Sequence, residues 1–150
     1  MTVRVRAAAL TAVLLCLAVA FAGDTPVARA AWARATPPGL VVAAAYVTIT
    51  GGATNDTLTG ARLDGVARIE FHETTTEGGV ARMRQSTQVS VPAHQPVAFA
   101  PSGLHLMLID LARPLVVGEK RTLVLVFEHA GEISVDLEVR AANAPTPSER

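Results

Sequence analysis

Cysteine is almost absent from this sequence: among its 150 residues only Cys16 carries a thiol, and it lies in an apolar N-terminal segment. A single thiol cannot build a disulfide framework within the chain. If the N-terminal segment is removed, no thiol remains to act as a catalytic nucleophile. A blue-copper electron-transfer site is excluded for the same reason, since that site needs a cysteine ligand.

The sequence also lacks an excess of charge. It has 13 basic and 13 acidic residues, and without residues 1–30 it keeps 10 basic and 12 acidic ones. A nucleic-acid-binding domain normally carries a clear basic surplus. We therefore expect no nucleic-acid partner.

Residues 1–30 have the pattern of a secretory signal. Arg4 and Arg6 precede a run from residue 7 to residue 22 without charge, and small residues allow cleavage after Ala22 or after Ala30. The run of 16 residues is short for a retained membrane anchor, which is the alternative. Leu15 before Cys16 argues against a lipoprotein cleavage site. We expect a bacterial protein that is periplasmic or exported, with no membrane span after cleavage.

The rest of the chain favours strands over helices. Residues 133–139 alternate apolar and polar side chains, and β-branched or apolar runs of similar length recur between turn residues. The predicted strands cover residues 41–50, 66–72, 87–91, 97–99, 104–108, 122–128 and 133–139. Seven to nine short strands in one domain, residues 31–140, predict an all-β antiparallel sandwich or barrel. Residues 141–150, with two prolines, are predicted to form a disordered tail.

Two of the three methionines lie among histidines. His72 is followed after ten residues by Met83, and after 21 more by His105, Leu106 and Met107. The two-residue period of a strand turns His72 away from the core and places His105 and Met107 on one face. A hairpin at Glu77-Gly78-Gly79 would set His72 nearly opposite Met83. Imidazole and thioether donors suit Cu(I).

Other residues offer weaker candidates. His94 and His129 fall in predicted turns and are left out of the site, and Trp32 and Tyr46 are expected to pack rather than bind. The acids Glu70, Glu73 and Glu77 near His72 make a hydrolytic zinc site conceivable, although zinc prefers cysteine, histidine and carboxylate ligands over thioethers. Three classes stay open: a metal carrier, an exported copper-dependent or zinc enzyme, and a secreted β-sandwich interaction module.

The spacing of the four ligands resembles the copper-binding signature of the periplasmic PCu(A)C copper chaperones. Further similar blocks are residues 31–38, 45–49, 79–84, 103–108 and 123–128, whereas Gly51-Gly52 departs from the polar residue that relatives often carry there. The resemblance implies a cupredoxin-like Greek-key sandwich and a monomeric Cu(I) carrier without enzymatic activity, with His72, Met83, His105 and Met107 as the metal ligands. It also implies delivery to an acceptor protein such as a cytochrome c oxidase subunit, often alongside Sco-type thiol proteins.

Overall fold

Among the residues that the structure describes, every regular element is a strand, which confirms the predicted all-β class. The structure, a computed structural model, describes residues 24–144. Within that range no helix is long and apolar enough to cross a membrane. The ten strands are β1 (Val27–Arg34), β2 (Val42–Thr50), β3 (Asp56–Leu63), β4 (Val66–Glu77), β5 (Val80–Ser86), β6 (Val89–Val91), β7 (Pro96–Phe99), β8 (Leu104–Leu111), β9 (Lys120–Phe127) and β10 (Gly131–Arg140).

The strands form one continuous ladder that folds back over a shared core. Their order is β5-β4-β8-β7-β2-β1-β10-β9-β3-β6, with an additional β8–β2 pairing. Most pairs are antiparallel, and β1–β10 and β7–β8 are parallel. Phe71 near one end of the ladder and Val91 at the other belong to the same apolar cluster. The ladder therefore closes into a sandwich.

Strand periodicity determines which side chains fill the core. In β8 the leucines Leu106 and Leu108 are fully buried, while Met107 between them is half-buried on the other face. In β4 Phe71 is buried and its neighbour His72 turns outward. Both orientations agree with the two-residue period expected from the sequence.

Two strands were not predicted. β3 was not recognised, and β1 begins at Val27, inside the segment 1–30 that was assigned to the signal. β1 pairs with both β2 and β10 and has an irregularity between Arg29 and Trp32, where Ala30 has a φ of 52°. The predicted tail lies largely outside the described residues, and β10 ends at Arg140.

The departure at Gly51-Gly52 has a steric explanation. A Cβ atom on Gly51 would lie 2.0 Å from the carbonyl oxygen of Pro92, and one on Gly52 would lie 2.2 Å from that of Asp24. Ala53 N also donates to Asp24 O, at 3.3 Å. The backbone approaches so closely here that no larger residue fits without a shift, and the segment that leads into β1 docks on this loop.

Candidate metal centre

The β4–β5 hairpin carries the first two predicted ligands. Its two-residue turn consists of Gly78 and Gly79, with φ values of 59° and 79°, as a type I′ turn requires. The resulting register pairs His72 with Gln85 and Met83 with Thr74. Met83 therefore lies on the same face as His72 but diagonal to it, two residues closer to the turn than Gln85, the direct partner of His72.

Strand β8 brings the other two ligands to that face. His105 lies directly opposite His72, and Met107 lies opposite Glu70. The two imidazole rings have centroids 5.9 Å apart and planes inclined by 38°. Since directly paired residues share a sheet face, the three strands present all four predicted ligands on one surface, with the methionines at opposite ends of the histidine pair.

The four predicted ligands differ in solvent exposure, and the one on the edge strand β5 is the most exposed. His105 is 7% exposed and Met107 is half-buried. The His72 side chain is 17% exposed. Met83, on the edge strand, is 58% exposed. Long flexible thioether side chains adapt to irregular surroundings, so Met83 is free to turn toward the histidines or toward solvent.

Hydrogen bonds determine which nitrogen of each imidazole is available. His105 Nδ1 lies 2.9 Å from Gly103 O, which can only accept, so Nδ1 carries the proton and Nε2 keeps its lone pair. His72 Nε2 donates to Glu70 Oε2 at 3.0 Å. Its Nδ1 is buried without a hydrogen-bond partner among the described residues. Each neutral ring thus offers one unprotonated nitrogen, and a metal ion would satisfy the orphaned Nδ1 of His72.

Glu70 connects the site to a small charged network. Arg68 donates from Nε to Glu70 Oε1 and from Nη1 to Asp110 Oδ2, each at 3.0 Å. The hydrogen bond from His72, with that from Arg68, lowers the pKa of Glu70 below its usual value, which keeps the carboxylate charged. The sequence analysis considered Glu70 only for a zinc site and did not assign Arg68 or Glu70 to the copper site, although the strand period already put both on the same face as His72.

The remaining candidates lie elsewhere, as expected. His94 occupies an exposed turn between β6 and β7, and the exposed ring of His129 contacts Asp56 at 3.2 Å in the β9–β10 turn. Trp32 and Tyr46 are buried and stack with centroids 4.5 Å apart. Glu73 points to the opposite face from His72, and Glu77 lies at the hairpin turn near Arg82 and Arg84. The three acids considered for a zinc site therefore do not converge.

The donor set fits a soft metal ion better than a hard one. Residues 24–144 contain no group of three or more histidine, cysteine, aspartate or glutamate side chains placed to hold a metal. Two imidazoles flanked by two thioethers suit Cu(I) among the biological first-row metals. A fully neutral set also leaves the ion with its single charge, which favours Cu(I) over Cu(II).

Comparison with known proteins identifies the family. A family model described as "Putative lipoprotein LpqE-like" matches residues 27–139, so the chain belongs to the LpqE-like family. A relative from Leifsonia xyli subsp. xyli, described as "Putative lipoprotein Lxx21020", is 31% identical over 111 residues. That match covers 73% of this chain and 66% of the relative's length.

Several solved structures share the fold. A copper-bound PCuAC domain from PmoF2 is 26% identical and covers 81% of this chain and 97% of that domain, with a TM-score of 0.67. A solution structure of the Cu(I) form of DR1885 from Deinococcus radiodurans is 29% identical, with a TM-score of 0.62 and coverage of 84% and 83%. These similarities confirm the predicted cupredoxin-like sandwich and the predicted relation to PCuAC domains.

Proposed function

We propose that this protein is a Cu(I)-binding metallochaperone that carries one ion on His72, Met83, His105 and Met107. The observation that carries the proposal is the pairing of His72 with His105 on a face that also presents both methionines. The hydrogen bonds of the two rings support it, because in the neutral imidazoles they leave Nδ1 of His72 and Nε2 of His105 for a metal. The copper-bound PmoF2 domain and the Cu(I) form of DR1885 add support from similar folds.

A carrier must release its metal, and the exposure of Met83 suits release. A ligand that is 58% exposed on an edge strand can be replaced by a donor from another protein without unfolding the domain. His105 and Met107, on the inner strand β8, would keep the ion until that exchange is complete. Catalysis is not part of the proposal: the carboxylate beside His72, Glu70, has both oxygens occupied by donors from His72 and Arg68.

The proposed location is outside the bacterial cytoplasm, in the periplasm or an equivalent envelope compartment. The signal pattern of residues 1–30 supports export, as do relatives described as lipoproteins. The proposed partner is a copper acceptor such as a cytochrome c oxidase subunit or a Sco-type protein. We propose that this chain meets its partner as a monomer. Thioether ligands suit an oxidising compartment, since they cannot be lost to disulfide formation.

A Cu(I) titration against a competing chelator tests the proposal. Wild type should bind one Cu(I) per chain, and its affinity should weaken in acid because protons compete for the imidazole nitrogens. The double variant His72→Ala with His105→Ala should bind weakly and with little pH dependence, after correction for protonation of the chelator. His129→Ala, which removes an exposed histidine that also contacts a carboxylate, should behave as wild type. A double variant with the wild-type pH profile would refute the ligand assignment.

A further inference from the structure

Glu70 differs from the other acidic residues of the hairpin because both of its oxygens have a fixed donor. Oε2 accepts from His72 Nε2 and Oε1 accepts from Arg68 Nε, both at 3.0 Å. Arg68 is in turn held by Asp110 at 3.0 Å. The side chain of Glu70 is 23% exposed and that of His72 17%, so their contact is partly shielded from solvent, while the side chains of Arg68 and Asp110 are more than half exposed.

The arrangement has a consequence for the neighbouring imidazole. A neutral histidine carries its proton on one nitrogen only, and the other nitrogen then holds the lone pair. A carboxylate facing Nε2 favours the proton there, so Nδ1, which is buried and has no partner among residues 24–144, is left to bind. This contact with the carboxylate therefore sets both the tautomer and the rotation of the His72 ring.

We infer that Glu70 is a positioning residue for copper: it selects Nδ1 of His72 as the ligating atom and holds the ring toward His105. The inference rests on the proposed function for the identity of the metal. Arg68 contributes by fixing the carboxylate. Partners of this kind, one hydrogen bond behind a metal-binding histidine, commonly change metal affinity by about 10- to 100-fold when removed.

Glu70→Gln is the informative substitution because an amide has only one acceptor oxygen. The charged Arg68 competes best for that oxygen, which leaves the amide N–H facing His72 Nε2. An N–H in this position favours the opposite tautomer, with the proton on Nδ1, where it blocks metal binding. The matched control is Glu73→Gln, which removes an equal charge from the residue next to His72, on the other face of β4.

The first measurement needs no copper. Long-range nitrogen–proton correlation spectra of the metal-free protein, at a pH where the imidazoles are neutral, report which nitrogen of His72 carries the proton. Wild type and Glu73→Gln should show the proton on Nε2, and Glu70→Gln should show it shifted toward Nδ1. A proton on Nδ1 in wild type, or an unchanged tautomer in Glu70→Gln, would overturn the inference.

The second measurement is Cu(I) affinity by chelator competition. Glu70→Gln should lose about 10- to 100-fold, and Glu73→Gln should stay near wild type. Equal losses of Cu(I) affinity in the two variants would mean that the loss comes from removing any negative charge near the site, which would overturn the inference. If wild type bound no Cu(I) while the tautomers followed the expected pattern, the proposed function would fail and the selection of Nδ1 by Glu70 would stand.

Discussion

At the scale of single residues, the proposed site combines one well-buried ligand with one that is largely exposed. His105 is held by the Gly103 carbonyl and covered by its surroundings, whereas Met83 has no such restraint. The two residues should therefore differ in how they affect stability. Replacing an exposed side chain changes unfolding free energy little, while truncating a core side chain leaves a cavity.

Met83→Ala should weaken Cu(I) binding and leave the metal-free fold within about 0.5 kcal/mol of wild type, because Met83 is 58% exposed. Chelator competition and urea unfolding measure the two effects. The control is Val80→Ala on the same strand, equally exposed and on the other face, which should change neither quantity. A large loss of stability in Met83→Ala would assign the thioether to the core.

Leu106→Ala should have the opposite effect to Met83→Ala and lower the stability of the fold. Leu106 lies between His105 and Met107 but points into the core, where it is fully buried. Urea unfolding of the metal-free variant should show a loss of about 2–5 kcal/mol. A loss comparable to that of Met83→Ala would mean that the face assignments of β8 are wrong.

The sequence predicts the faces of these residues better than their register. The two-residue period correctly turned His72 outward and Leu106 inward, since that period follows from strand geometry alone. The exact partner of Met83 depended on whether the turn held two residues or more, and one residue of difference changes every pairing. The pairing of His72 with His105 joins strands that are distant in the chain, so no local pattern could reveal it.

At the scale of elements, the ends of β1 and β2 depend on a close backbone contact. The loop after β2 touches the backbone of Asp24 and of Pro92 through two glycines. β1 was not predicted because its alanine-rich start has the same composition as the preceding signal segment. Its structure comes from pairing with β2 and β10, which lie elsewhere in the sequence.

Gly52→Ala should destabilise the fold by about 1–3 kcal/mol, because its Cβ would lie 2.2 Å from the Asp24 carbonyl oxygen and the backbone would have to move. Gly60→Ala in β3 is the control, since its Cβ would meet only Val126 side-chain atoms at 3.8 Å or more. Thermal or urea unfolding compares the two. Equal stability of both variants would show that the segment around Asp24 does not dock on the loop.

The pairing of the start of β1 with β2 also favours one of the two possible signal cleavage sites. Cleavage after Ala30 would remove the first four residues of β1, of which Val27, Ala28 and Arg29 pair with the end of β2, whereas cleavage after Ala22 keeps this strand whole. We therefore expect the mature chain to begin at Gly23. Intact mass spectrometry of the exported protein gives the answer: a chain starting at Ala31 would contradict the expectation, and a lipid-modified chain starting at Cys16 would indicate lipoprotein processing.

At the scale of the whole molecule, ionised carboxylates stabilise the sandwich at two places away from the metal centre. Glu119 accepts from the buried Arg121 at 3.0 Å and pairs with Arg113 at 2.7 Å. The hydrogen bond from Arg121, opposed by partial burial and assisted by Arg113, lowers the pKa of Glu119 to about 2. Burial alone would raise the pKa of Asp56, but backbone donors from Thr57, His129 and Ala130 outweigh it and lower that pKa.

Both shifts predict loss of stability in acid. A carboxyl group whose pKa is lower in the folded state stabilises the fold at any pH above its pKa in the unfolded chain, which for Glu119 is near 4.5. This stabilisation is lost as the pH falls toward the folded-state pKa of about 2. Urea unfolding of the metal-free protein at several pH values should show this decline. It should be shallower in Glu119→Gln than in Glu132→Gln, whose carboxylate forms an exposed ion pair. Identical pH profiles would refute the role of Glu119.

X-ray absorption at the copper edge, on the purified mature protein loaded with one equivalent of Cu(I), tests the central claim most directly. The ligand set predicts a Cu(I) edge and a first coordination shell containing both nitrogen and sulfur, with the sulfur contribution reduced in Met83→Ala and in Met107→Ala. A shell fitted by nitrogen and oxygen alone, or a sulfur contribution unchanged in both variants, would contradict a site built from two histidines and two methionines.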